Sequence, residues 1–239
     1  MLGINWVQFY HGGLSGIAFD PQYTQNHFVY VVTQVPDEST GFAKASLIIR
    51  FTDVKGHGAS PKIILKLGAS QFDNTYSLVF GADGMLYIPV GFLGTTATRP
   101  LVGLPGKILR VTPDGQAPGD NPFGPEAPLV WAIGLKNSFD LAFFPDSDLA
   151  VAGENGTVGH DEINLLAAGN NYGYPNREGI THNPSLTPPM LDYESDPPPS
   201  ASSITRVTDP RAAEPVPDVY EPQHWHGRAQ DHPLRSRPV

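Results

Sequence analysis

The sequence predicts an all-β chain of the β-propeller class, and three observations carry that prediction. Short apolar runs recur in the same order along the chain, each pair is joined by a Pro, Asp or Gly turn, and apolar residues at helical spacing are scarce. The repeat is the strongest of the three. Its units start at Gly16-Ile17-Ala18-Phe19-Asp20-Pro21, Leu78-Val79-Phe80-Gly81-Ala82-Asp83-Gly84 and Leu141-Ala142-Phe143-Phe144-Pro145-Asp146.

In each unit a second run follows the turn: Phe28–Val32, Met85–Ile88 and Leu149–Ala152. Two β-rich runs flanking a tight turn read as a hairpin. A third run then recurs: Leu47–Phe51, Lys107–Val111 and Glu162–Leu166. Three units of this order, about 60 residues apart, predict blades stacked around an axis, with the loops at one end forming a shared mouth. The segments between runs, Gln34–Ser46, Gly91–Gly106, Gly153–Asp161 and Gly169–Pro188, are therefore expected to surround that mouth. The expected domain spans residues 1–205. Residues 206–239, rich in Pro, Arg and His, read as a tail that is poorly ordered or foreign to the domain.

Composition excludes several classes of function. A chain that is 40% hydrophobic and 16% charged, with 25 Gly and 25 Pro, is globular and rich in turns. A net charge of −9 argues against a nucleic-acid partner, which calls for a basic face. The lack of cysteine removes thiolate metal sites and a cysteine nucleophile. No stretch approaches the ~20 apolar residues of a membrane helix. Met1 leads directly into Leu2-Gly3-Ile4-Asn5-Trp6, so no signal peptide is read there. Gly13-Leu14-Ser15-Gly16 misses the serine-hydrolase elbow by one residue, and His224-Trp225-His226 reads as a solvated pair.

Three motifs in register identify a family. His11-Gly12-Gly13-Leu14-Ser15-Gly16-Ile17-Ala18-Phe19-Asp20-Pro21 resembles the opening pattern of the soluble quinoprotein glucose/sorbosone and aldose dehydrogenases. Gly106-Lys107-Ile108-Leu109-Arg110-Val111 with Asp114-Gly115 and Asp120-Asn121-Pro122-Phe123 is a closer match. So is Asp161-Glu162-Ile163-Asn164 with Gly169-Asn170-Asn171-Tyr172-Gly173-Tyr174-Pro175. The resemblance spans about residues 11–205 and implies a six-bladed propeller, of which about four blade-length units are present here. It also implies oxidation of the C1 hydroxyl of an aldose, with hydride passing to pyrroloquinoline quinone (PQQ) held by calcium, in a periplasmic or secreted protein.

The same resemblance assigns roles residue by residue. The family's general-base histidine falls on Asp73, and the aspartate that supports it falls on Phe92. Two readings of Asp73 stand: a turn residue without a chemical task, or a substitute base with a reference pKa of about 3.9. Gly134-Leu135-Lys136-Asn137 resembles the quinone-contacting Gly-x-Arg-Asn, with Lys136 keeping the charge but not the planar fork. Glu154-Asn155-Gly156-Thr157 lies where the carbonyls of a Glu-His-Gly-Pro stretch bind the cofactor's calcium, making Gly156 and Thr157 the candidate ligands. A second, structural calcium of some members would fall on Asn176–His182, where Glu178 and Ile180 are the candidates.

Two further functions compete with a quinoprotein. A propeller that kept the fold but not the redox site would act as a binding module. A metal-dependent lactonase-type hydrolase would draw on Glu154, Asn137 and Asp161. Missing final blades would leave terminal blade faces open, which predicts self-association.

Overall fold

The computed structural model describes residues 13–37, 39, 43–68, 73–92, 101, 103–144, 147–157, 160–193, 206–207 and 218–219, with backbone only at 73–74, 206–207 and 218–219. Three antiparallel sheets, each made from consecutive strands, stack as blades. Blade 1 contains β1 (Gly13–Phe19), β2 (Phe28–Pro36), β3 (Ala43–Val54) and β4 (His57–Gly68), with one short helix, α1 (Tyr23–Asn26), between β1 and β2. Blade 2 contains β5 (Asp73–Asn74), β6 (Val79–Phe80), β7 (Leu86–Phe92), β8 (Lys107–Val111) and β9 (Val130–Ile133); β5 and β6 both pair with β7. Blade 3 contains β10 (Ser138–Phe143), β11 (Ala150–Glu154), β12 (Asp161–Leu166) and β13 (Leu191–Tyr193). In the expected tail, β14 (Arg206–Val207) and β15 (Asp218–Val219) form a two-residue antiparallel ladder, and His224, Trp225 and His226 lie outside the described residues.

The three recurring runs of the sequence are β1–β3 in blade 1, β6–β8 in blade 2 and β10–β12 in blade 3. The last strands β4, β9 and β13 and the short β5 went unread, and Gln34–Ser46 is largely strand where a loop was expected. β4 had a legible signal. It leaves β3 through Lys55-Gly56, whose φ angles of 56° and 80° suit the tight two-residue hairpin turn that matches strand twist.

Period-2 alternation decides which face meets which blade. Leu86, Ile88, Val90, Leu109 and Val111 of blade 2 pack with Tyr30, Val32, Ile48, Ile64 and Leu67 of blade 1. Their neighbours Tyr87 and Ile108 turn to the other face, where they meet Leu141, Ala150, Ala152 and Leu166 of blade 3. Ile108 and Leu109 are both fully buried, on opposite faces, each worth about 1.5–3 kcal/mol. A one-residue slip of β8 would exchange both sets at once, so its register is strongly specified.

The Arg110 of the second motif closes blade 2. Its guanidinium donates to Asp83 at 2.9 Å, to Asp120 at 2.8 and 3.2 Å, and to Asn121 at 3.0 Å. That network explains why Lys107–Val111 is followed by Asp120-Asn121. Asp114, on the turn between β8 and β9, reaches back to Arg50 and Lys62 of blade 1.

Candidate functional site

The expected site residues meet at one end of blades 2 and 3. β5 pairs with the end of β7, placing Asp73 opposite Phe92 and Asn74 opposite Gly91. The base position and its support position, assigned by the family resemblance, are thus cross-strand neighbours; the side chain of Asp73 lies outside the described atoms. Phe92 N–H donates to the Lys136 carbonyl at 2.6 Å, and Asn155 N–H donates to the Asn137 carbonyl at 3.0 Å. Three separate segments are therefore tied edge to edge.

The link Gly134–Asn137 is held from behind by the third motif. Gly134 has φ 78°, and a Cβ there would sit 2.1 Å from Asn171 Oδ1. Tyr172 N–H donates to Ile133 O at 3.0 Å and Tyr174 N–H to Gly134 O at 2.8 Å. The Asn-Asn-Tyr-Gly-Tyr run is thus a brace for the turn that presents Lys136 and Asn137.

Those two side chains behave differently. Asn137 is fully buried, and neither atom of its amide has a hydrogen-bond partner among the described residues. An unpaired buried amide is costly, so this one is open to a further partner. Its Oδ1 lies hard against Gly91, where a Cβ would come within 2.2 Å. The Lys136 ammonium instead donates to the Gly156 carbonyl, while its backbone N–H donates to Glu154 Oε1 at 2.5 Å.

Around this pair lies a set of buried carboxylates. Asn164 Nδ2 donates to both Glu154 and Glu162, at 3.1 Å each. Burial pushes the Glu154 carboxyl well above its ordinary range and the Glu162 charge adds to it; burial likewise raises Glu162. Asp161 accepts from Gly156 N–H at 3.0 Å and from the Asn155 amide at 3.2 Å, which shapes the Glu154–Thr157 loop. Glu178 accepts from Thr157 N–H at 2.7 Å and from its hydroxyl. Ile180 sits a little apart, its carbonyl accepting from the Arg177 guanidinium at 2.6 Å.

These contacts bear on each ligand the sequence suggested. Asn137 suits the polar edge of a quinone, since its amide has both a donor and an acceptor to offer. A calcium ion does not fit at Gly156 in this arrangement, because the carbonyl accepts from an ammonium and both oxygens of Glu178 hold Thr157. Of the candidates for a hydrolase, Glu154 accepts from Lys136 N–H and Asn164, and Asp161 accepts from Asn155 and Gly156 N–H. Among the described residues no group of three His, Asp or Glu is placed to hold a metal.

Sequence reasoning missed the inner segment at Thr75–Ser77. The Thr75 carbonyl accepts from Ser15 at 2.9 Å and Gln34 at 3.4 Å, both of blade 1. Tyr76 stacks on Phe139 at 4.9 Å and Ser77 donates to Asp140 at 2.5 Å, both of blade 3. Gln34 is buried with Oε1 unpaired among the described residues. A polar residue ending the apolar run Val29–Thr33 was its one sequence signal.

The glucose/sorbosone dehydrogenase family profile matches residues 5–206. The chain is 31% identical to quinoprotein glucose dehydrogenase B of Acinetobacter calcoaceticus, over 70% of this chain and 40% of that protein. It is 29% identical to an aldose sugar dehydrogenase of Escherichia coli, over 69% of this chain and 46% of that protein. The chain thus spans less than half the length of these curated relatives. The PQQ-bound aldose sugar dehydrogenase of Streptomyces coelicolor superposes with a TM-score of 0.69 at 31% identity, covering 81% of this chain and 57% of that one.

Proposed function

Since the chain belongs to the glucose/sorbosone dehydrogenase family, we propose that it supplies the first blades of a quinone-dependent oxidoreductase acting on the C1 hydroxyl of aldose sugars. The observation that carries this reading is Asn137, whose fully buried amide has no partner among the described residues, at the place where the family motif contacts the quinone. When bound, the quinone supplies the hydride acceptor. This chain's residues bind and orient it: the Asn137 amide pairs with its polar edge, and Gly91 leaves the space that the amide occupies. Asp73, opposite Phe92 on the ladder, is the proton acceptor for the sugar hydroxyl. Calcium takes no part in this proposal. A periplasmic or secreted location is part of the same proposal and rests on the family resemblance.

One observation favours a second reading, a propeller that binds but does not oxidise. Phe92 stands opposite Asp73 and has no group able to orient or stabilise a base. General-base catalysis is worth about 10²–10⁴ in rate, so turnover at least a hundredfold below that of a histidine-bearing relative is expected. The test is quinone titration by absorbance, followed by dye reduction with a panel of aldoses, in the wild type, Asp73→Ala and Asn137→Ala. Loss of quinone affinity in Asn137→Ala and loss of residual turnover in Asp73→Ala support the oxidoreductase. Tight quinone binding unaffected by Asn137→Ala would place the site elsewhere.

A further inference from the structure

Both places where the family's calcium ligands fall are met, in this chain, by a side-chain cation of its own. The Lys136 ammonium donates to the Gly156 carbonyl, and the Arg177 guanidinium donates to the Ile180 carbonyl at 2.6 Å. We infer that this chain has exchanged its divalent cation for the ammonium of Lys136, seated on the Gly156 carbonyl, so that an anionic group of a ligand entering the pocket meets Lys136 and not a metal.

The argument begins with the donors a cation would need. Calcium takes 6–8 oxygen ligands at 2.3–2.6 Å. Around the Glu154–Thr157 loop the side-chain oxygens already face N–H or O–H groups. Glu154 accepts from Lys136 N–H and Asn164, Asp161 from Gly156 N–H and Asn155, and Glu178 from Thr157 N–H and its hydroxyl. Calcium would have to displace those donors and the ammonium together. A divalent ion beside an ammonium on one carbonyl also meets direct like-charge repulsion, which is strongest in a buried site. Lys136 is buried, so solvent screens little of it.

The residue type fits the exchange. A guanidinium is a rigid planar fork, whereas an ammonium is a compact point charge on a flexible stem with three donors. Only the latter approximates a small ion that a carbonyl can cap. Lysine at 136, where the family pattern has arginine, thus converts a ligand-facing fork into a built-in cation.

The inference rests on the reading that the Glu154–Thr157 loop belongs to the ligand pocket, but its test leaves the quinone out. Calcium is titrated calorimetrically into the wild type and Lys136→Met, with melting temperatures read in calcium and in chelator. The wild type is expected to show no saturable binding and no calcium-dependent melting shift. Lys136→Met, with Gly156 O released, is expected to bind calcium at least tenfold more tightly. Equal affinity in the two chains, including none in either, overturns the inference. Should Lys136→Met not fold, the wild type labelled with ¹³C at glycine carbonyls decides alone. A Gly156 carbonyl resonance that stays put as calcium rises supports the exchange, and a saturable shift refutes it. A chain that binds no quinone gives the same calcium readout, so failure of the oxidoreductase reading remains separable.

Discussion

Gly91→Ala is the substitution that most directly tests how the pocket is built. Gly91 lies at the buried end of β7, opposite Asn74, and a Cβ there would stand 2.2 Å from Asn137 Oδ1 and 3.3 Å from Asn137 Cα. Ordinary van der Waals contact begins near 3.4 Å, so the amide must retreat by more than an ångström. It has little room, because Asn137 is fully buried and its carbonyl is tied to Asn155 N–H. Overpacking of this kind costs about 1–3 kcal/mol. For a domain of this size that lowers the melting temperature by roughly 2–12 °C. Moving the amide also removes hydrogen bonds to the quinone, which predicts a loss of affinity of about 5- to 100-fold. Thermal melting followed by circular dichroism and quinone titration by absorbance read the two effects separately. Gly68→Ala, at the end of β4, where a Cβ would meet nothing within 4 Å among the described residues, is the control and should change neither. A Gly91→Ala chain that melts with the wild type and binds quinone equally well would refute the placement of Asn137.

Three further outcomes are expected. Arg110→Met should cost about 2–3 kcal/mol in urea unfolding, less than the 3–5 of a fully buried pair because Asp120 is mostly exposed; a loss under 1 kcal/mol would show that the motif is not held by this network. Lys107 is buried, and desolvation depresses its amine to about 8, so the folded state binds fewer protons than the unfolded one between that value and 10.5. Wild-type stability should therefore rise relative to Lys107→Met across that window, and a difference independent of pH would contradict the assignment. Finally, Leu14, Ile17 and Phe19 are exposed on one face of blade 1, on the side away from Tyr30, Val32 and Ile48. Sedimentation at micromolar concentration should show self-association that Ile17→Lys weakens, and a monomer in both chains would rule this face out as the contact.

The sequence by itself determined the all-β class, three successive strands of every blade and the family. These rest on local information: alternation at period 2 shows which residues share a face, and turn residues show where a strand reverses. The family resemblance also named Asp73 and Phe92 as the base and support positions, and these two face each other on the ladder between β5 and β7. The last strands were harder to read, since β9 and β13 are only four and three residues long. What only the tertiary structure decided is which polar groups satisfy one another. Lys136 reaches Gly156, Asn164 bridges Glu154 and Glu162, and Thr75 gathers Ser15 and Gln34. Asn137 is left with no partner among the described residues. No periodicity encodes such meetings. They depend on how three sheets stack, and a buried hydrogen bond is set by the position of both partners in space rather than by either one's place in the chain.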